Sequence, residues 1–444
     1  MPSPQETYAS KKISLNDLLA LLRPKETLAT SIAAGQPQAL LNHLSNKPDI
    51  EDWQLFTGLC AFPYPILGHP KVHVTSGYYG PVERMANEAG FNMAYLPLAF
   101  NAFEIYAEKF NPRVVMTTLS PMDEHGLLSF GVDCEAIYDP FLKAARDPNR
   151  LAIAQVNPRM PVVRGLAEWG NNAISIQDID YVVEVESPLL ELPAPDLSDV
   201  EKSIAAHVTA LIQTGDTLQV GIGGIPNEVA RLLAQGDRGH FGIHSELISD
   251  GLITLMEAGK ISGTIVFTFA LGSQKLYDWL DERNGKNGGR AVAAPVSYVN
   301  DPTIIAKNLN MVSINAGFMI DFSGQVCSEA IGERQYSGVG GQLNFAQGAF
   351  HSPGGRGILC IKSSVMINGK RRSNIVDTLP PGSLISTPRH YVQYVVTEYG
   401  SVNLFGLTDE QRPFALIPLA HPDFRDELRA QAEARDRLYY KSRH

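Results

Sequence analysis

Short apolar runs alternate with helical patterns along the whole chain. Runs rich in Val, Ile, Leu and Thr predict buried strands. Such strands are predicted over residues 113–119, 151–156, 181–185, 264–270, 358–361 and 392–397. Residues 227–235 instead space their apolar side chains as a helix does. Strands that alternate with helices are typical of βαβ units, so the predicted fold class is α/β with parallel sheets.

The length and one proline-rich segment predict the domain division. A chain of 444 residues is too long for one ordinary hydrophobic core, which indicates two domains. Residues 187–199 carry three prolines, and Ser198 with Glu201 forms the capping-box pattern that begins a helix. We therefore predict an N-terminal domain of residues 1–193 and a C-terminal domain of residues 194–444.

The two halves resemble each other at one place. Residues 27–44 and residues 217–233 both read as a strand, a tight Gly-containing turn and the beginning of a helix. The two segments lie about 190 residues apart, and such self-similarity indicates duplication of an open α/β domain.

Composition and charge exclude several classes of protein. The chain is 44% hydrophobic and 19% charged, as ordinary globular proteins are, and its formal net charge of −10 argues against general nucleic-acid binding. No apolar run is long enough to predict a membrane span, and the N-terminus lacks the pattern of a secretion signal, so we expect a cytoplasmic protein. The four cysteines form no CxxC pair, which favours free thiols over a disulfide framework or a zinc site.

Three glycine-rich loops suggest a pocket lined by backbone. Residues 220–226 read VGIGGIP, and a helix that follows would direct free amide groups at an anion. Pro226 stands where GxGxxG would continue, so a dinucleotide fold is disfavoured, while a tight turn without a ligand remains open. Further loops lie at residues 337–345 and 352–357. Arg356, within the last of these, and Lys362, which follows it, could supply cations for phosphate groups.

Metal binding and serine or thiol catalysis are poorly supported. His240 and His244 are four residues apart near Glu246, but Gly242 interrupts any helix between them and no third ligand follows. We therefore predict no metal. The chain has no GxSxG motif, and no cysteine has a suggestive histidine nearby in sequence.

Glu246 stands out because it lies in GIHSELISDG (residues 242–251), which we expect to be a Gly-bounded, mostly apolar turn before a helix. This stretch, following VGIGGIPNEVARLL, resembles the acetyl-CoA hydrolase/transferase family, class I CoA-transferases of the 4-hydroxybutyrate, butyrate and acetate type. The resemblance covers most of the chain and includes SPMDEHGLLSFGVD, INAGFMIDFSGQVCSE, SGVGGQLNF and YVVTEYGSVNLFGL. It implies two related open α/β domains, an active site at the domain interface, and Glu246 in the C-terminal domain as the nucleophile.

The resemblance also implies the chemistry and the substrates. Acyl-CoA and a small carboxylic acid are the expected partners, CoA being a substrate rather than a tightly bound cofactor, and a homodimer or higher homo-oligomer is expected. Asn315 and the backbone around Gly341 are candidates for stabilising the oxyanion that each attack creates. The candidate CoA-binding residues are Gly221, Gly223, Gly224, Gly338, Gly340, Gln342, Asn344, Arg356 and Lys362.

Three functions are therefore compared. The leading one is an acyl-CoA:carboxylate CoA-transferase that works through a glutamyl-CoA thioester with ping-pong kinetics. An acyl-CoA hydrolase would use the same glutamate, with water capturing the intermediate. A ligand sensor without catalysis on a related α/β fold would have no reason to retain Glu246.

Overall fold

The computed structural model describes residues 2–134, 136–192 and 196–439. Its helices are α1 (Pro4–Lys11), α2 (Leu15–Leu21), α3 (Gln38–Leu44), α4 (Pro81–Glu88), α5 (Phe103–Lys109), α6 (Tyr138–Arg146), α7 (Asp199–Ala210), α8 (Gly224–Gln235), α9 (Asp250–Glu257), α10 (Gln274–Leu280), α11 (Val296–Val299), α12 (Pro302–Ile305), α13 (Gln342–His351), α14 (Gln411–Leu416) and α15 (Arg425–Tyr439). Its strands are β1 (Lys25–Thr30), β2 (Asp52–Thr57), β3 (Val72–Ser76), β4 (Met93–Tyr95), β5 (Val114–Leu119), β6 (Leu127–Ser129), β7 (Leu151–Val156), β8 (Ala173–Ser175), β9 (Tyr181–Glu184), β10 (Thr217–Val220), β11 (Phe241–Ile248), β12 (Ile261–Ala270), β13 (Ala291–Ala293), β14 (Met311–Ala316), β15 (Met319–Asp321), β16 (Val326–Cys327), β17 (Ala330–Ile331), β18 (Arg334–Gln335), β19 (Arg356–Cys360), β20 (Ser364–Ile367), β21 (Lys370–Ser373), β22 (Ile375–Val376), β23 (Tyr394–Thr397) and β24 (Gly400–Asn403).

The chain forms two compact units whose division differs from the predicted one. The first unit contains the described residues of Met1–Pro193 together with Ser245–Asp250 and Thr264–Asn300. The second contains the described residues of Ala194–His244, Gly251–Gly263 and Asp301–His444. The predicted boundary between residues 193 and 194 lies outside the described residues. Glu246 therefore belongs to the first unit, although the predicted division placed it in the second.

Backbone hydrogen bonds explain why these later segments belong to the first unit. The amide of Cys134 donates to Thr268 at 3.0 Å, and the amide of Ala270 donates to Val132 at 2.8 Å. The amide of Ala293 similarly donates to the carbonyl of Arg164 at 2.8 Å. Such pairings between segments far apart in the chain are not visible in a local hydrophobic pattern.

The first unit is built on a parallel sheet with the strand order β4-β3-β2-β1-β5-β7-β9. Leu28 on β1 lies opposite Leu55 of β2 and Val114 of β5, which places a row of apolar side chains across the sheet. These residues and Trp53 are almost fully buried in the core of this unit. Strands β12 and β13 pair in parallel within the same unit, through residues such as Ile265 opposite Ala291.

The second unit repeats this plan. Strand β10 lies between β11 and β14, which pairs with β19 and then β23, all in parallel, while β24 runs antiparallel to β23. In the first unit β1 likewise lies between the next strand of the chain and a later one. Both units are thus open α/β structures of related topology. Helix α15 packs Leu428 and Ala432 into the core of the second unit.

The predicted strands and helix are confirmed. The predicted and observed ends differ by no more than three residues, as for the predicted strand 264–270, which the structure extends to Ile261–Ala270. Among the helices of the described residues, none combines the length and the apolar character that crossing a membrane requires.

A buried acid in the first unit makes the fold sensitive to pH. Glu104 on α5 is only 5% exposed, and its Oε1 accepts a hydrogen bond from the amide of Asp139 at 3.1 Å. Burial raises the pKa of the Glu104 carboxyl from its ordinary 4.5 to about 7, because the hydrogen bonds from Ser297 and Asp139 offset only part of the lost hydration. Between these two pH values the folded chain keeps a proton that the unfolded chain has released.

This difference predicts the sign of a pH effect. The stabilisation from the protonated Glu104 is complete below its ordinary pKa and is lost as the pH rises to about 7. Between pH 5 and pH 8 the free energy of unfolding of the wild type should fall by roughly 3 kcal/mol. Glu104→Gln, which stays neutral, should not show this fall. Urea unfolding of both proteins at the two pH values measures the difference. Parallel pH profiles for the wild type and the variant would contradict the assignment.

Candidate active site

Glu246 lies on a strand and not in a turn as predicted. Residues 241–248 form β11, in which Phe241, Ile243, Ser245 and Leu247 are all buried. Successive side chains of a strand point to opposite faces, so these four share one face and Glu246 lies on the other. The alternation was hidden in the sequence because polar Ser245 occupies one of the buried positions. Glu246 itself is half-buried, and helix α9 begins shortly after the strand ends.

A buried amide holds the Glu246 carboxylate. Asn300 Nδ2 donates to Glu246 Oε2 at 2.5 Å, and the Asn300 side chain is fully buried. Asn300 follows α11, and its backbone amide donates to the carbonyl of Val296 at 2.9 Å. A hydrogen bond to an ionised group is about twice as strong as one between neutral groups, so this contact orients the carboxylate. Sequence reasoning did not find Asn300, which lies 54 positions from its partner.

The segment that carries Glu246 is fixed at its far end. The amide of Leu271 donates to the carbonyl of Ile248 at 3.0 Å. The Asp250 carboxylate accepts hydrogen bonds from the Ser273 amide and, at 2.8 Å, from the Ser273 hydroxyl. Main-chain and side-chain bonds of this kind hold the segment that carries Glu246 rigidly in place.

The second unit contains a cavity of about 770 Å³. Its volume falls within the range of about 300–1,000 Å³ that small-molecule sites occupy. Two chain segments, residues 221–226 and 314–319, contribute much of its wall, together with residues of the β20–β21 hairpin. Among the predicted site residues, those that line it are Gly221, Gly223, Gly224, Asn315 and Lys362.

The glycine loop that borders this cavity is built for close approach. Gly223 has a φ of +117°, a conformation that L-residues rarely adopt, and it precedes the first residue of α8. Gly221 lacks such a φ, and a Cβ added there would meet no atom within 4 Å. Neither backbone strain nor crowding therefore requires glycine at position 221. Open space beside a cavity is what a closely approaching ligand needs.

The two predicted phosphate-binding cations differ in their surroundings. Lys362 lines the cavity and forms an ion pair with Glu201 at 3.1 Å, with about half of its side chain exposed. Arg356 begins β19 and pairs with the buried Asp216, with 2.5 Å between Nη2 and Oδ1. This second pair is almost fully enclosed, so breaking it would leave an uncompensated charge inside the unit. The ion pair gives Arg356 a structural role, and its binding of CoA stays a prediction.

Asn315, on the cavity wall, and a group of residues around the start of α13 complete the predicted set. Asn315 donates from Nδ2 to Gln219 at 3.1 Å and to Ser313 at 2.8 Å, so both of its amide hydrogens have partners. Gly341 precedes α13, and Gly340 has a φ of +60°. Four predicted residues share this region and are not among those lining the cavity, namely Gly338, Gly340, Gln342 and Asn344. The amides of the first turn of α13 have no partners within the helix and could serve an anion.

The cysteine thiols and the possible metal ligands are less suited to catalysis than Glu246. The four cysteines are buried free thiols. Burial raises the pKa of the Cys360 thiol, which borders the cavity, to about 12, so that it stays protonated at neutral pH. His244 packs against the ring of Phe345 at 6.2 Å between centroids. Within the described ranges, no three His, Cys, Asp or Glu side chains come together as metal ligands would.

Comparison with known proteins identifies the family. Residues 2–191 match the N-terminal domain of the acetyl-CoA hydrolase/transferase family, and residues 272–432 match its C-terminal domain. The chain belongs to the acetyl-CoA hydrolase/transferase family. Glu246 lies between the two matched ranges.

Several known proteins resemble the chain over nearly its full length. The 4-hydroxybutyrate coenzyme A transferase of Clostridium kluyveri is 38% identical and covers 96% of this chain and 97% of its own. The butyryl-CoA:acetate CoA-transferase of Anaerostipes caccae is 33% identical and covers 97% of both. The crystal structure of RipA from Yersinia pestis has a TM-score of 0.86 at 32% identity, covering 98% of this chain and 99% of its own. The chain with which these proteins were compared is accordingly a CoA-transferase.

The Asn300 contact generates a prediction. Asn300→Ala should lower kcat by roughly ten- to a hundredfold, because a hydrogen bond to a charged group contributes about 1.5–3 kcal/mol. The KM for acyl-CoA should change little, since Asn300 orients the carboxylate and does not bind CoA. Steady-state kinetics measures both values.

Asn287→Ala is the matched control for this variant. Asn287 is also buried in the first unit, but its Nδ2 donates to the carbonyl of Leu280 at 2.8 Å. Its replacement should lower stability and leave kcat unchanged. Equal kcat values for the two variants would argue against a positioning role for Asn300.

Proposed function

We propose that this enzyme transfers CoA between short-chain carboxylic acids through a covalent thioester on Glu246. The observation that carries the proposal is the placement of that carboxylate, half-buried on a rigid strand and oriented by the neutral amide of Asn300. A neutral donor fixes the carboxylate without adding a positive charge that would reduce its nucleophilicity. Partial burial limits the water that could hydrolyse an activated acyl group.

The reaction consists of balanced acyl transfers. A Glu246 carboxylate oxygen attacks the thioester carbonyl of the acyl-CoA and expels CoA thiolate, which gives a mixed anhydride. The thiolate then attacks the Glu246 carbonyl carbon and releases the first acid as its carboxylate, leaving a glutamyl-CoA thioester. A second carboxylate runs the two steps in reverse and leaves with CoA. Each step exchanges one activated acyl bond for another, so the chain of reactions is freely reversible.

Each attack forms a tetrahedral oxyanion that needs a donor. We assign this role to backbone amides at Gly341 and the first turn of α13, because they have no partners within the helix. Asn315 is a weaker candidate, since its amide would first have to release Gln219 or Ser313. The cavity of the second unit, with the open space at Gly221, is proposed to hold the acyl-CoA.

The names of the relatives indicate the class of acid and not one particular acid. Acetate, butyrate and a hydroxybutyrate occur in the names of full-length relatives, so we propose short-chain acids of this class as donor and acceptor. The absence of a tightly bound cofactor, a homodimeric or higher assembly and a cytoplasmic location stay predictions.

The covalent intermediate gives the first test. Glu246→Ala should abolish exchange, because no other group replaces the carboxylate, while the protein stays folded. Wild-type enzyme incubated with acyl-CoA and then borohydride should carry a reduced Glu246, located by mass spectrometry. Glu257→Ala, which removes an exposed acid at the end of α9, is the control and should retain full activity. Reduction of a different residue would refute the assignment.

The second test separates transfer from hydrolysis. Adding acetate or butyrate to enzyme and acyl-CoA should raise thioester turnover strongly, because the acceptor carboxylate recaptures the glutamyl-CoA thioester. Initial rates are measured over a matrix of donor and acceptor concentrations. Their double-reciprocal plots should show the parallel lines of ping-pong kinetics. A rate that acceptors leave unchanged, with free CoA as the main product, would show a hydrolase instead.

A further inference from the structure

A small basic hairpin borders the cavity of the second unit. Strands β20 and β21 pair antiparallel, and the two residues joining them, Asn368 and Gly369, have φ values of +50° and +73°. An Asn-Gly pair with positive φ at both positions is typical of a tight hairpin turn, so the hairpin is a defined element. Residues 362–376 contain four cations and no acid, in a chain whose formal net charge is −10.

The register of the hairpin shows which cations face the cavity. Val365 lies opposite Arg372, and Ile367 lies opposite Lys370. Directly opposite residues of an antiparallel pair project from the same face. Val365 and Ile367 line the cavity, as does Ser364 at the start of β20 on the other face. Lys370 and Arg372 therefore share the face that contributes both apolar residues of the hairpin to the cavity wall. This face therefore combines two apolar side chains with two cations.

The third cation of the hairpin is held on the other face. Arg371 lies opposite Met366, and its guanidinium contacts the Ser364 hydroxyl at 3.4 Å and the Asp423 carboxylate at 3.8 Å. Within the part of the chain that the structure describes, the side chains of Lys370 and Arg372 have no hydrogen-bond or ion-pair partner. Two exposed like charges on one face repel each other, and a bound anion would relieve that repulsion.

We propose that the cavity face of this hairpin binds the phosphates of the nucleotide end of CoA through Lys370 and Arg372. This assignment rests on the proposed function, because that function makes CoA the ligand of the cavity. CoA combines a long uncharged pantetheine arm with a phosphorylated adenosine diphosphate. The cavity walls suit the arm, while a lysine and an arginine at its border suit the phosphates. Val365 and Ile367 would contact the ligand where the pantetheine arm meets the phosphates.

A substrate without the nucleotide tests this division. In the double variant Lys370→Gln/Arg372→Gln, kcat/KM for acetyl-CoA should fall by roughly ten- to a hundredfold, as expected when charged contacts are lost. For S-acetylpantetheine, which lacks the phosphates, kcat/KM should equal that of the wild type. Arg371→Gln, on the opposite face, is the matched control and should act as the wild type on both substrates. Isothermal calorimetry with CoA should show weaker binding by the double variant alone.

The possible outcomes separate this assignment from the proposed function. Equal losses for acetyl-CoA and S-acetylpantetheine, or the same loss in the Arg371 variant, would overturn the phosphate assignment. Unchanged kinetics in the double variant would also overturn it and leave CoA transfer intact. If the wild-type enzyme transferred no CoA, the proposed function would fail, while hairpin-dependent binding of CoA in the calorimeter would still support the phosphate site.

Discussion

The hydrogen bond from Asn300 to Glu246 is the interaction on which the proposed chemistry depends. A carboxylate in water is a poor nucleophile because it is strongly hydrated and freely rotating. Partial burial removes some of that hydration, and one fixed amide donor selects an orientation. A cation in the place of Asn300 would stabilise the resting carboxylate more than the uncharged anhydride of the proposed reaction. The fold meets this requirement by setting a fully buried, neutral side chain against one carboxylate oxygen.

The two related units share one local structure but use it differently. Each has a strand that leads through a glycine turn into a helix. In the first unit the turn is closed: the Gly35 amide donates to Asp133 at 3.1 Å, and a Cβ at Gly35 would lie 2.3 Å from that carboxylate. In the second unit Gly221 and Gly223 face open space at the cavity. An internal carboxylate thus fills the anion-binding turn of one copy, whereas the other copy keeps it available for a ligand.

Local sequence patterns predicted the elements well and their partners poorly. The strand at residues 151–156 and the turn before α8 were visible because burial and backbone conformation constrain neighbouring residues. The strand that carries Glu246 was missed because Ser245 breaks the apolar alternation of β11. The ion pair of Arg356 with Asp216 and the contact of Asn300 with Glu246 join residues far apart in the chain. Such pairs depend on tertiary packing, which no single segment encodes.

The apolar walls of the cavity and the cations of the hairpin at its border limit the selectivity that the cavity can provide. Apolar walls discriminate weakly among acyl chains, because one methylene changes the transfer free energy by only about 0.8 kcal/mol. Charged contacts at a distance from the reacting carbonyl are made equally to every acyl-CoA, so they select CoA and not the acid. Their binding energy can nevertheless lower the barrier, if it holds the thioester in a position that the transition state requires. In the proposed reaction, selectivity for the acid must therefore arise beside the Glu246 carboxylate, where the mixed anhydride would form and the two acids would exchange.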